Sequence, residues 1–156
     1  MADPSAAALR LLVRRTPATP SGTAAVTLQM PADVRCVEEA IELLARHCFA
    51  GAEPSSRTGF RFRVLLSEAI SNSILFGAGG DPARRIRIEA ELGDATIRLE
   101  VTDDGPGFNP GEVPDPTLPD GLARPIGRGL FLIRNLADRV EFNDLGNTIW
   151  MTLPRS

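Results

Sequence analysis

The stretch from Ile86 to Val101 constrains the fold more than any other part of the chain. Ile86, Ile88, Ala90 and Leu92 alternate with Arg87, Glu89 and Glu91, and beyond Gly93-Asp94 the pattern resumes with Ile97, Leu99 and Val101. A period of two puts the apolar side chains on one face and the charged ones on the other. Gly-Asp between two such runs makes a hairpin turn. A lone hairpin is at best marginally stable in water, so its apolar face demands a second layer.

The rest of the chain supplies that layer as helices. Residues 25–30 alternate like a short strand that Pro31 ends. Asp33 is placed to cap a helix over 33–49, with Val34, Val37, Ile41, Leu44 and Cys48 on one face. A second helix over 59–76 carries Phe62, Leu65, Leu66, Ala69 and Ile70 as its stripe, and Gly77, Gly79, Gly80 and Pro82 stop it. After the hairpin come a Gly/Pro-rich segment over 104–126, a helix over 129–137, and strands near 139–143 and 147–153 joined through Asp144-Leu145-Gly146. This order predicts an α+β fold, a two-layer α/β sandwich whose mixed, mostly antiparallel sheet carries its helices on one face. Residues 1–24, rich in Ala, Pro, Ser and Thr, read as a mobile arm ahead of one domain over 25–156.

Composition excludes several functions. The length of 156 residues suits a single domain, and 43% hydrophobic with 24% charged residues suits a water-soluble core. The net charge of -3 is spread along the chain, which argues against direct nucleic-acid binding. Arg84, Arg85 and Arg87 form the one dense basic cluster, read as a solvated strand face. No apolar run is long enough to span a bilayer, and the first residues lack a signal-peptide pattern. A cytoplasmic protein is expected. Cys36 and Cys48 fall twelve residues apart on one helix, about 18 Å at helical rise, too far for a disulfide. Every basic residue except His47 is arginine, because the sequence contains no lysine. That removes both the P-loop and the strand-lysine kinase designs for a nucleotide site.

Three short motifs carry candidate chemistry. In Glu68-Ala69-Ile70-Ser71-Asn72, the outer residues are four apart and share a helix face. A carboxylate there can take a proton from a hydroxyl, and an amide oxygen suits Mg²⁺. Alone, the pair would be an exposed helix face. Asp103-Asp104-Gly105-Pro106-Gly107 follows a strong strand. Its glycines let backbone approach a ligand, and Asp103 can accept from an amino group such as that of adenine. Alone, it would be a turn. Gly127-Arg128-Gly129-Leu130 opens a helix, whose free N–H groups favour phosphate. Alone, it would be a helix start.

Together and in this order, the motifs resemble the asparagine and glycine boxes of the GHKL superfamily, the ATP-binding fold of histidine kinases, gyrase and MutL. The likeness covers residues 25–154. Within it, Leu66-Ser67-Glu68-Ala69-Ile70-Ser71-Asn72 and Gly129-Leu130-Phe131-Leu132-Ile133 are similar to the anti-sigma-factor serine kinases of the RsbW and SpoIIAB type. That resemblance implies the Bergerat fold, with ATP and Mg²⁺ as ligands. Glu68 would be the base, Asn72 the metal ligand, and Asp103 the adenine acceptor. Gly105, Gly107, Gly127, Arg128, Gly129 and Leu130 would shape the phosphate pocket. Thr148 would support the adenine site, and residues 108–126 would form the lid. It further implies a homodimer that sequesters a sigma factor and phosphorylates a STAS-domain anti-anti-sigma protein.

One departure stands out. Many relatives carry a basic residue and then His or Tyr where this chain has Leu75 and Phe76. This motivates the alternative of an ATP-binding sequestration module without significant kinase activity. A fragment of a two-component histidine kinase is disfavoured, because His47 is the only histidine and lacks the acidic neighbour of a phosphoacceptor site.

Overall fold

The structure, a computed structural model, describes residues 12–16, 24–79, 81, 83–107, 109 and 125–155. The strands are β1 (Leu12–Thr16), β2 (Ala24–Pro31), β3 (Arg85–Leu92), β4 (Thr96–Asp103), β5 (Arg139–Phe142) and β6 (Thr148–Pro154). The helices are α1 (Val37–Cys48), α2 (Ser56–Asn72) and α3 (Pro125–Leu136). The strands form one six-stranded sheet in the order β1-β2-β3-β4-β6-β5.

The hairpin is β3–β4, with Ile88 opposite Val101 and Ala90 opposite Leu99. Its apolar side chains are buried, as are the matching positions of β2 and β6. Along the other face run charges, where Arg87 pairs with Glu89 at 2.7 Å and the Trp150 indole N–H donates to Glu100 at 3.0 Å. One face is therefore core and the other solvent, giving the expected two layers.

The expected mixed sheet is corrected in one respect: every described pairing is antiparallel. The connections explain this. A pair of helices, α1 and α2, lies between β2 and β3, so the chain re-enters the sheet at the end where β2 left it, with Pro31 opposite Arg85. The single crossover through α3 does make β5 run parallel to β4, but β6 inserts between them. A second difference concerns the arm over 1–24. Leu12–Thr16 forms edge strand β1, paired from Leu12 opposite Gln29 to Thr16 opposite Ala25. The lid expected over 108–126 lies almost wholly outside the described residues.

Local chemistry sets the helix ends. Asp33 accepts the Arg35 N–H at 2.9 Å and caps a 3₁₀ turn at Val34–Cys36 that leads into α1. That turn leaves Val34 57% exposed, off the stripe predicted for it. Ser55 caps α2 by accepting the Thr58 N–H at 3.2 Å. The second helix thus starts earlier than predicted, and after Asn72 it widens into a π-turn over Ser73–Gly77. Phe62, Leu65 and Leu66 on α2 are completely buried against the sheet.

Candidate functional site

Asp103 is the last residue of β4 and only 4% exposed. It follows Leu99 and Val101 on the helix-facing side of the sheet. Its Oδ1 accepts the Gly105 N–H at 2.8 Å, and the Ser73 side chain also bonds the carboxylate. Burial pushes the Asp103 carboxyl above its ordinary value, while the Gly105 bond pulls the other way.

Glycines make this packing possible. A β-carbon on Gly77 would overlap Oδ2 of Asp103, and one on Gly105 would overlap the Gly77 carbonyl oxygen. Gly107 has φ +80°, a left-handed value that suits glycine, and a β-carbon there would overlap the Leu145 carbonyl. The π-turn brings Gly77 into place, with the Ala78 N–H donating to the Ser73 carbonyl at 2.7 Å. π-turns inside helices often mark functional positions. The sequence marks Gly77 only as a helix stop, and neither Ser73 nor Asn147 as a site residue, since their partners lie in distant segments.

Glu68 and Asn72 project from one face of α2, as predicted, and both meet the start of α3. A β-carbon on Gly129 would lie 2.8 Å from Glu68 Oε2 and 3.3 Å from each polar atom of the Asn72 amide. Asn72 is buried, and among the described residues its Nδ2 has no hydrogen-bond partner. Leaving a buried amide unpaired costs about 1–3 kcal/mol. A polar or charged ligand would relieve that cost, and the amide can present its oxygen to a cation. Among the described residues no three His, Cys, Asp or Glu side chains cluster. Mg²⁺ held by one amide together with phosphate oxygens and water needs no such cluster. The orphaned amide and the glycine cradle therefore fit a Mg-nucleotide.

Asn72, Ser73, Asp103, Leu130, Asn147 and Thr148 all line a cavity of about 10 Å³. That is about one water's worth of space. Two larger hollows, of about 520 and 490 Å³, lie along α1 and α2 and include none of these residues. Size alone points to those hollows; the convergence of a buried carboxylate, an orphaned amide and tight glycines makes the small cavity the candidate site.

Helix α3 begins at Pro125, earlier than expected, so Gly127 and Arg128 sit within its first turn rather than ahead of it. Proline suits that first position, and the N–H groups of a first turn have no intrahelical partner. Arg128 is exposed and Leu130 buried. Thr148 is buried beside the cavity, but its hydroxyl pairs with Thr102 Oγ1 at 3.0 Å. Its neighbour Asn147 is the residue across from Asp103, accepting the Asp103 N–H at 3.0 Å through its carbonyl. Leu75 and Phe76 are 52% and 38% exposed, just beyond Asn72.

Comparison with known proteins agrees with this geometry. The sequence model of the family described as "Histidine kinase-like ATPase domain" matches residues 30–153. An "Anti-sigma F factor" of Bacillus cytotoxicus is 31% identical over 109 residues, covering 66% of this chain and 74% of the relative. A "Serine-protein kinase RsbW" of Listeria innocua serovar 6a is 30% identical over 143 residues, covering 81% of this chain and 85% of the relative. No helix among the described residues is long and apolar enough to cross a membrane. The chain belongs to the histidine kinase-like ATPase domain family, alongside relatives named as anti-sigma F factor and serine-protein kinase RsbW.

Proposed function

We propose that this protein is an ATP-dependent serine kinase and anti-sigma factor: it sequesters a sigma factor and phosphorylates a serine on a STAS-domain anti-anti-sigma protein. The observation that carries this reading is the Asn72 amide. It is buried next to Glu68 Oε2, its Nδ2 has no partner among the described residues, and it lines the same cavity as the Asp103 carboxylate. The names of the relatives support a sigma factor as one partner and serine as the acceptor.

When bound, Mg-ATP supplies the phosphoryl group and neutralises its charge. The chain's own residues do the rest. Asp103 accepts from the purine amino group; as a buried carboxylate it discriminates strongly against a carbonyl there. Asn72 offers its amide oxygen to the metal. Gly105, Gly107, Gly127 and Gly129 keep backbone close to the phosphates, with Arg128 and Leu130 beside them. Glu68 takes the proton from the attacking serine hydroxyl, so that its oxygen forms the new ester bond as ADP leaves. The water-sized cavity means that Leu130 and the start of α3 shift to admit a purine. A homodimer acting in the cytoplasm completes the proposal.

The deciding experiment incubates the protein with radiolabelled ATP and a STAS-domain partner. Label on a partner serine supports the kinase. Binding of ATP and sigma factor without transfer favours sequestration alone, the reading that the exposed apolar Leu75 and Phe76 motivate.

A further inference from the structure

The turn joining β5 to β6 carries more hydrogen bonding than a hairpin requires. Asn143 Oδ1 accepts both the Asn147 and the Thr148 N–H groups at 3.0 Å, an ordinary way for asparagine to close a turn. Its Nδ2, however, donates to Asn147 Oδ1 at 2.6 Å. This orients the Asn147 amide so that its own Nδ2 points out of the turn and donates to the Gly105 carbonyl at 3.3 Å. The Asn147 backbone carbonyl meanwhile accepts the Asp103 N–H at 3.0 Å. Asn147 thus grips the chain at two peptides, Thr102–Asp103 through its own carbonyl and Gly105–Pro106 through its side chain. The same turn supplies the Leu145 carbonyl against which Gly107 packs.

Gly105 is also the residue whose N–H, one peptide earlier, holds Asp103 Oδ1 at 2.8 Å. A side chain that fixes its carbonyl also orients the neighbouring peptide groups of the glycine segment. We propose that Asn147 is a positioning residue for nucleotide binding, oriented by Asn143. The pair acts as a clasp that holds the Asp103-to-Gly107 segment in its binding geometry. Neither residue needs to touch the ligand. The energetic role of the clasp is preorganisation: without it the segment must be ordered when nucleotide binds, and that cost appears as lost affinity. The effect on nucleotide rests on the function proposed above; the effect on the segment does not.

The test uses Asn147→Asp, which keeps an oxygen for Asn143 but removes the donor to Gly105. Asn143→Asp serves as the milder variant, since it keeps both backbone acceptor bonds and loses only the link to Asn147. Isothermal calorimetry with Mg-ADP, thermal melts and amide hydrogen exchange are measured on each full chain. For Asn147→Asp the expected result is about tenfold weaker Mg-ADP binding. Gly105 exchange should quicken in the nucleotide-free protein, while central β4 amides such as Leu99 stay protected. Asn143→Asp should show the same effects at about threefold in affinity. A merely structural turn would lower the melting temperature and deprotect β5 and β6 without changing the affinity of the folded protein. If Asn147→Asp leaves Mg-ADP affinity and Gly105 exchange at wild-type values, the clasp is overturned. If the wild type binds no nucleotide yet Asn147→Asp selectively frees Gly105, the clasp on the segment stands and the functional reading fails.

Discussion

Gly77 and Asp103 are packed so closely that a β-carbon on the glycine would overlap the carboxylate oxygen Oδ2. The π-turn after α2 and the end of β4 meet at this point. Gly77→Ala therefore has to displace Asp103 or the turn. Overpacking of this kind costs about 1–3 kcal/mol, and any movement of Asp103 weakens adenine-nucleotide binding further. A thermal melt and Mg-ADP calorimetry check both effects. Wild-type values in both would show that the turn yields freely.

Asp103 should trade stability for binding. Its carboxyl is pushed up by burial, so in the native state it holds a proton to higher pH than in the unfolded chain. Between the unfolded value, near 3.8, and the raised native one, the native state binds more protons. Stability falls as pH rises through that window and stays lower above it. Asp103→Asn escapes this penalty and should melt higher than wild type at neutral pH without nucleotide, the gap closing at acid pH. The same change should weaken Mg-ADP binding about ten- to a hundredfold, because a charge-assisted bond is lost. A lower nucleotide-free melting point would mean that the carboxylate is a net stabiliser.

Glu68 and Asn72 should separate in their effects. Glu68→Gln keeps the side chain's shape beside Gly129, so Mg-ADP and sigma-factor binding stay near wild type. Phosphorylation of the STAS partner falls by about two to four orders of magnitude, the usual worth of a positioned base. Asn72→Ala weakens Mg-dependent nucleotide binding as well as transfer. Transfer by Glu68→Gln at the wild-type rate would remove the base assignment.

Fold stability should reside on one face of the sheet. Leu66 is fully buried, and Leu66→Ala should cost about 2–5 kcal/mol in chemical denaturation. Arg87 pairs with Glu89 on the solvent face while 44% exposed, and Arg87→Ala should cost less than about 1 kcal/mol. Equal losses would contradict the two-layer arrangement.

Sequence alone determined whatever rests on local periodicity. The β3–β4 hairpin, the buried stripe of α2 and the pairing of Glu68 with Asn72 on one helix face all follow from spacing, because side-chain direction repeats every two residues in a strand and every 3.6 in a helix. The motifs Asp103-x-Gly-x-Gly and Gly127-x-Gly129 likewise could be read in order along the chain. Only tertiary structure decided how these pieces meet. The antiparallel sheet depended on β6 inserting between β4 and β5, a long-range choice without a local signal. Strand β1 lies in a segment whose composition reads as an arm, and pairing with β2 made it a strand. Gly77 acquires its importance from Asp103, Thr148 turns its hydroxyl to Thr102, and Asn147 reaches Gly105. Each of these contacts joins residues far apart in the chain, so it is set by how the layers pack rather than by any neighbouring residue.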